Sequence, residues 1–487
     1  MKRSLKICFA ASEAVPYAKT GGLADVAAAL PARLTELGHD VRLFLPCYRG
    51  IGPPKHDVPY VDSIRDVEVR MGPRTYEYAV RKPPRHDSLR SVYLIECPAL
   101  YDRPTIYTAD ADEAQRFTLL SRAVIESCQR LDWAPDVFHC NDWHTALIPF
   151  LLRTVYAWDA LFRKSRSLLT IHNIGYQGDF SSDAVGALGL DPWAHLLDQD
   201  DLAAGRMNFL RTGLIYADAI STVSPTYAKE IQTEQYAMGL RDVLRARRDT
   251  LVGILNGVDY DQWSPERDPF IPFRFAVDDL EGKRKNKLHL LERLRLDPDP
   301  DAPLLGVISR LVHQKGFDLC FDVLPDVLTA SDLRLVVLGS GEARVEEFFE
   351  SLQRGFPARA CYHRGYHDEL AHVIEAGSDM LLMPSRYEPC GLNQMFGMRY
   401  GTLPIVRRTG GLADSVKPVD VSTGQGTGFV FEHFTPGALR WALDLALETW
   451  RDRPLWGRLM RNAMREDFAW EIQARPYEEL YRKLLQR

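Results

Sequence analysis

The sequence predicts an α/β fold of two doubly wound lobes, and three observations carry that expectation. Short apolar runs alternate with longer amphipathic segments along the whole chain. The runs are continuously apolar, the pattern of parallel strands covered on both faces. A chain of 487 residues also exceeds what one hydrophobic core serves, so two or three domains are the starting expectation.

The elements follow in order. Strand-like runs are "KICFAAS", "VRLFLP", "VYLIE", "PDVFHC", "SLLTIH", "AISTVS", "LVGIL", "LLGVISR", "LRLVVLG", "MLLMPS" and "LPIVRR". Helical patterns such as "VAAALPARLTELG" and "EAQRFTLLSRAVIESCQRL" lie between them. Turn residues and two prolines break the alternation at "LNGVDYDQWSPERDPF", residues 255–270, and it restarts at Leu304. The division is therefore drawn as a first lobe over 1–260, a second over 261–464 and a closing helix over 465–487. No tandem repeat or low-complexity tract interrupts this plan.

Apolar residues make up 46% of the chain and charged residues 26%, the balance of a globular protein. A net charge of −6 argues against nucleic acid or an anionic membrane as partner. No apolar run reaches the roughly 18 residues that a membrane-spanning helix needs. The opening "MKRSLKICFAASEA" has a basic start, but Ser12 and Glu13 interrupt its short apolar stretch, so it reads as a first strand. Eight cysteines lie scattered without C-x-x-C spacing, as reduced thiols of a cytoplasmic protein do.

Ligands of open α/β sheets bind beyond the carboxyl ends of the strands. Those ends here carry Glu13 and Lys19-Thr20-Gly21-Gly22, then Asn141-Asp142-Trp143-His144, His172-Asn173, Asn256-Gly257, Arg310 with Lys315-Gly316, Gly339-Ser340-Gly341-Glu342, Arg386 through Gly391, and Thr409-Gly410-Gly411. Six residues, Thr-Gly-Gly-Leu-Ala-Asp, occur twice, after Lys19 and after Arg408. Glycine pairs ahead of a helix expose backbone N–H groups to anionic oxygens, and Gly21-Gly22 is expected to cap the first helix. A plain strand-to-helix turn is the bland alternative; the adjacent Lys19 and the second copy favour phosphate or sugar contact. Neither G-x-G-x-x-G nor G-x-x-x-x-G-K-[ST] is present, so "GSGEAR" at 339–344 reads as a close backbone approach. Arg310 and Lys315 are placed to clamp a diphosphate and neutralise a leaving group, the electrostatic work a metal would otherwise do. Two solvated surface cations are the competing reading. Glu388 follows a buried strand, with Pro389 shaping its turn and Gly391 opening a helix; it faces sugar hydroxyls or balances a cationic transition state, with a helix-dipole role as the alternative. Asp142 and His172 are the opposing candidates from the first half. One of His139 and His144 is expected to be a core residue. Asp-x-Asp pairs, including Asp110/Asp112 as a helix N-cap, do not follow apolar strands, so no metal is expected.

At these residues the chain resembles a known family. "AKTGGLADV", "NDWHTALIP", "TIHNIGYQGDF", "ILNGVDYDQWSP", "SRLVHQKGFDL", "GYHDEL" and "PSRYEPCGLNQMFGMRYGTLPIVRRTGGLADSV" are similar to bacterial glycogen synthases and plant starch synthases, over nearly the whole length. The resemblance implies two Rossmann-like lobes of the glycosyltransferase B type around a deep interdomain cleft, with the final helix crossing back to the first lobe. It implies transfer of glucose from ADP-glucose to the non-reducing end of an α-1,4-glucan such as glycogen, with retention at the anomeric carbon, without metal or other cofactor. Matched by motif, Lys19, Gly21 and Gly22 contact the donor from the first lobe. Asp142, His172 and Asn256 line the sugar site, Arg310 and Lys315 hold the diphosphate, and Glu388, Cys390 and Gly391 bind glucose hydroxyls. Thr409 and Gly410 meet the phosphates, and Tyr366 packs on the base. The implied mechanism is front-face displacement, with the leaving phosphate helping to deprotonate the acceptor. Related B-type families carry a second Glu eight positions after the first, where this chain has Phe396, as its resembled branch has an aromatic residue. "STGQGTGFVF" at 422–431 differs locally from the usual loop. A UDP-glucose-dependent relative and a catalytically silent glucan- or nucleotide-binding homologue are the competing readings. Oligomeric state is not legible.

Overall fold

A computed structural model describes residues 3–51, 58–84 and 91–486. The chain folds into two compact units. One takes the chain up to Val223, Ala228–Ile254 and the segment from Trp470 on; the other takes Ser224–Tyr227 and Leu255–Ala469.

The first unit carries strands β1 (Lys6–Ala10), β2 (Asp40–Pro46), β3 (Val67–Met71), β4 (Arg74–Arg81), β5 (Val92–Glu96), β6 (Val137–Asn141), β7 (Arg166–Ile171), β8 (Asp179–Ser181), β9 (Arg206–Asn208), β10 (Ala219–Thr222) and β11 (Leu251–Gly253). Among the described residues, nine of these form one sheet in the order β11-β10-β7-β6-β1-β2-β5-β4-β3. The order reverses between β1 and β6, both parallel and in register at Phe9 with His139. The sheet is not parallel throughout: β3 and β4 form an antiparallel hairpin at one edge. Its alternating burial and Gly72-Pro73 turn are the ordinary signature of a half-covered hairpin, which continuous apolar runs do not report.

Helix Gly22–Glu36 forms because "DVAAALPARL" repeats alanine and leucine at helical spacing. It ends where Gly38 takes φ +92° and the Gly38 and His39 amides turn back to Thr35 and Leu34. Leu23, Val26, Ala27, Leu30 and Leu34 pack on Ile7, Phe9, Val41 and Leu43, and on Tyr477 and Tyr481 of the last helix, Trp470–Leu484. Burial of each such side chain contributes about 1.5–3 kcal/mol. His139 lies in this core, its ring nitrogens bonded to Tyr481 Oη at 2.7 Å and Thr170 Oγ1 at 2.6 Å. His144 is buried as well, stacked on Tyr107.

The second unit carries β12 (Leu304–Ile308), β13 (Arg334–Gly339), β14 (Ala360–Arg364), β15 (Met380–Met383), β16 (Leu403–Arg407) and β17 (Phe429–Phe431). They run parallel in the order β14-β13-β12-β15-β16-β17. The order reverses between β12 and β15, the position at which doubly wound sheets open a crevice at their carboxyl ends. "GSGEAR" is a close approach as expected: a Cβ on Gly339 would stand 1.9 Å from the Ser309 carbonyl, and one on Gly341 2.3 Å from that of Leu311. Both units are thus doubly wound α/β, as the sequence predicts. Among the described residues, no helix is long and apolar enough to cross a membrane. All eight cysteines are free of disulfides.

Candidate active site

In the first unit the candidates gather at the carboxyl ends of β1, β6 and β7, three neighbouring strands. Asp142 follows β6 with φ +54°, a left-handed conformation that few residues other than glycine adopt. Its Oδ1 accepts from the His172 amide at 2.7 Å and from the Asn173 amide at 3.4 Å. Burial still pushes its carboxyl up to about 7, against those two bonds, and the neighbouring Glu13 adds to the rise. Burial pushes the His172 imidazole down to about 3, so it is neutral in neutral solution. Its Nε2 donates to Asn141 Oδ1 at 2.9 Å, and Asn141 Nδ2 donates to the Ala10 carbonyl at 2.9 Å. Asn141 thus fixes the ring, and Asp142 fixes the His172 main chain through its amide.

The first glycine loop differs from its expectation in one respect. Gly21 is the N-cap of its helix, as the sequence implies, but the Thr20 and Gly21 amides are already taken. Glu13 accepts from the Thr20 amide, from Thr20 Oγ1 at 2.7 Å and from the Gly21 amide at 3.2 Å. Tyr107 donates to the same carboxylate from the loop ahead of helix Glu113–Arg130. Lys19 Nζ pairs with Asp25 at 2.7 Å. The carboxylate thus sits where an anion was expected, an arrangement nothing in the motif signals. Nor does any motif single out Tyr107. Asp112 lies at the N-cap of helix Glu113–Arg130, yet its side chain does not cap the helix; it pairs instead with Arg103.

In the second unit the site stands at the switch point. Lys315 follows β12 and Glu388 follows β15, and the two pair at 2.7 Å. Glu388 is buried, with Ser385 Oγ donating to the same oxygen at 2.8 Å. Lys315 reaches this position because Gly316, at φ +70°, turns the chain tightly under Pro384, whose carbonyl would lie 2.2 Å from a Cβ there. Arg310 is exposed just past β12.

The second Thr-Gly-Gly follows β16 and has a use that its first copy lacks. Gly410 adopts φ +43°, and a Cβ on it would stand 1.9 Å from the Glu388 carbonyl oxygen; one on Gly411 would stand 2.2 Å from that of Cys390. A Cβ on Gly21, by contrast, would meet nothing within 4 Å. The second loop is therefore pressed against the backbone of the 388–390 turn, and only glycine permits it. Thr409 is fully buried beside it.

Cys390 is buried, and burial pushes its thiol up to about 12 although the Asn256 backbone bonds it. Asn256 is buried too, with no hydrogen-bond partner for its Oδ1 among the described residues. Buried polar atoms in folded proteins are nearly always paired, so an open acceptor beside the turn marks a place for a ligand donor. Gly391 has φ +70°, but it does not open the helix: that helix is Asn393–Arg399, with Leu392 as its cap. Tyr366 lies after β14, two strands from β12, and is 70% exposed with its hydroxyl bonded to Asp368.

Comparison with known proteins decides the family. A glycogen synthase from Koribacter versatilis is 44% identical over 99% of this chain and 99% of its own length. The chain belongs to the glycogen synthase family. A glycogen synthase from Geobacillus thermodenitrificans is 40% identical over 99% of this chain and 98% of that protein. The family model "Starch synthase catalytic domain" matches residues 6–246, and "Glycosyl transferases group 1" matches residues 292–464. The catalytic domain of starch synthase IV from Arabidopsis thaliana, solved bound to ADP and acarbose, superimposes with a TM-score of 0.91 at 35% identity, covering all of both chains. Sucrose-phosphate synthase from Thermosynechococcus elongatus shares the fold at a TM-score of 0.62 and 18% identity, over 99% of both chains. Membership in the glycogen synthase family makes this chain a glycosyltransferase of the B-type fold.

Proposed function

We propose that the protein transfers glucose from ADP-glucose to the non-reducing end of an α-1,4-glucan, with retention and without metal. The observation that carries this reading is the Lys315–Glu388 pair at the switch point of the second unit, backed by a glycine loop pressed onto its turn. The starch synthase IV structure, which holds ADP and acarbose, supports an ADP-linked donor.

In this reading Arg310 and Lys315 bind the donor diphosphate, and Thr409 and Gly410 offer it their backbone. The bond between the glucose C1 and the diphosphate oxygen breaks as the acceptor hydroxyl approaches from the same face. The acceptor proton passes to the departing phosphate, and the two cations stabilise the negative charge that collects there. Glu388, Cys390 and Gly391 hold glucose hydroxyls, and the open Oδ1 of Asn256 accepts another. The His172 carbonyl, held by Asp142 through the His172 amide, is assigned to the electron-poor anomeric carbon. Lys19, Gly21 and Gly22 contact the donor after Glu13 yields the Thr20 and Gly21 amides. Tyr366 packs on the base.

Purified protein incubated with glycogen and either ADP-glucose or UDP-glucose, in excess EDTA, tests the reading. The expected result is polymer labelling from ADP-glucose, linked α-1,4. Preference for UDP-glucose, loss of transfer in EDTA, or β-linked product would each contradict it.

A further inference from the structure

A second cluster in the second unit lies beside the donor-site residues without touching any assigned to the reaction except through packing. Trp263 is sandwiched between two rings. His372, on helix Asp368–Gly377, stacks on it with ring centroids 3.8 Å apart and planes 7° apart. Phe396, on helix Asn393–Arg399, stacks on its other face at 4.0 Å and 2°. His372 is itself fixed: its Nδ1 bonds Asp268 Oδ2 at 2.7 Å. Asp268 is fully buried, accepts from Tyr400 at the end of the Phe396 helix, and accepts from the Phe270 amide at 2.8 Å.

The segment that Trp263 belongs to begins at the site. Seven residues upstream of it lies Asn256, with its open Oδ1 and with its backbone at the Cys390 thiol. Between them the Trp263 amide closes a turn onto the Asp259 carbonyl at 2.9 Å. Val258 is fastened to the Phe468 carbonyl at 2.8 Å, and Tyr260 Oη accepts from the Phe468 amide at 2.9 Å. The Phe396 helix likewise starts just past the Glu388–Gly391 turn, and Asn393 ties its first turn to the end of β12 by donating to the Ile308 carbonyl at 2.6 Å. One aromatic slab therefore joins the strand-to-turn segment bearing Asn256 to the helix that follows the Glu388 turn. Rings stacked this closely resist displacement along their normal, because interiors are packed at crystal density.

We infer that Trp263 is a positioning residue for the sugar end of the donor site: held between His372 and Phe396, it fixes the segment carrying Asn256 against the Glu388–Gly391 turn. This also gives Phe396 a use, since the position that bears a carboxylate in related B-type families here holds half of the clamp. The inference rests on the donor-site reading above and adds residues that it does not use.

The test is a set of variants assayed for transfer from ADP-glucose to glycogen and for ADP binding by calorimetry, each with its melting temperature. Trp263→Leu should lower kcat/KM for ADP-glucose about tenfold while ADP affinity stays within about twofold, since the supporting residue acts at the sugar and not at the diphosphate. Trp263→Phe, which keeps a ring between His372 and Phe396, should recover most of the loss. Asp268→Asn, which frees the His372 ring, should fall in the same direction as Trp263→Leu. Combined with Asn256→Ala, Trp263→Leu should add little, because both remove one contact. An equal fall in ADP affinity would mean a general collapse of the unit and overturn the inference. So would an unchanged kcat/KM, or losses that multiply with Asn256→Ala. Lys315→Gln serves as the control: if it too leaves ADP affinity unchanged, the donor-site reading fails and takes this inference with it, whereas an effect of Lys315→Gln alone condemns only the role of Trp263.

Discussion

Replacing Gly410 by alanine tests the packing of the second glycine loop against the Glu388 turn. The added Cβ would lie 1.9 Å from the Glu388 carbonyl oxygen and 2.9 Å from its carbon, at φ +43°. Relief of that overlap requires a displacement of about 1.5 Å, since the contact must open to van der Waals range. The left-handed conformation costs an alanine roughly 1–2 kcal/mol in addition. The displaced group is the turn bearing Glu388, the partner of Lys315, and misplacement by about 1 Å at a reacting centre costs on the order of a hundredfold in rate. Gly410→Ala is therefore expected to lower kcat/KM for ADP-glucose by about that factor and to weaken ADP binding. Gly21→Ala, at φ −154° with open space around its Cβ, is the matched control for strain and should leave the melting temperature unchanged. Transfer kinetics, calorimetry and thermal melts on both variants give the comparison. Turnover by Gly410→Ala within about threefold of the unaltered protein would refute the reasoning, because one of the two contacts would then be soft.

Asp142 makes stability depend on pH. Its carboxyl is held up to about 7 by burial, above an unfolded value near ~3.9. The folded state then keeps a proton that the unfolded chain has released, so this group's contribution is complete below about pH 4 and is lost as pH rises through about 7. The melting temperature of Asp142→Asn minus that of the unaltered protein should therefore grow over that window and level off above it; a flat difference would contradict the assignment. Tyr481→Phe removes the hydroxyl that bonds His139 at 2.7 Å in the core of the first unit, and should cost about 1–2 kcal/mol in a denaturant melt with little change in transfer rate. Glu13→Gln keeps the shape but removes the charge at the Thr20 and Gly21 amides; if Glu13 stands in for a donor oxygen, the variant should lower KM for ADP-glucose, and an increase would mean that the carboxylate holds the loop ready instead.

Much of the fold was legible because parallel strands buried on both faces must be continuously apolar, and all eleven such runs are strands. The β3–β4 hairpin was missed for the converse reason: one of its faces is wet, so its strands alternate and carry charges such as Glu68, Arg70 and Glu77. At the site, Lys315, Glu388 and Gly410 were legible as strand-end residues because the switch point makes those ends converge. What they do to one another was not. The doubled Thr-Gly-Gly looks the same twice in sequence, yet one copy is filled by Glu13 from earlier in the same strand-to-helix connection and the other is pressed against a turn that precedes it by about twenty residues. Tyr107, Asp268 and His372 act through contacts more than ninety residues away in sequence, Asp268 with His372 and Tyr107 with Glu13, and no local spacing reports such a contact.

The central claim is that the second unit holds the donor diphosphate on Lys315 opposite Glu388. Transfer from ADP-glucose to glycogen by Lys315→Gln, with folding checked by circular dichroism, tests it most directly. The account expects kcat/KM to fall by about a hundredfold or more, the size of a lost charge-stabilising contact in a transition state, with ADP binding weakened alongside. Turnover within about twofold of the unaltered protein, on a folded variant, would contradict it.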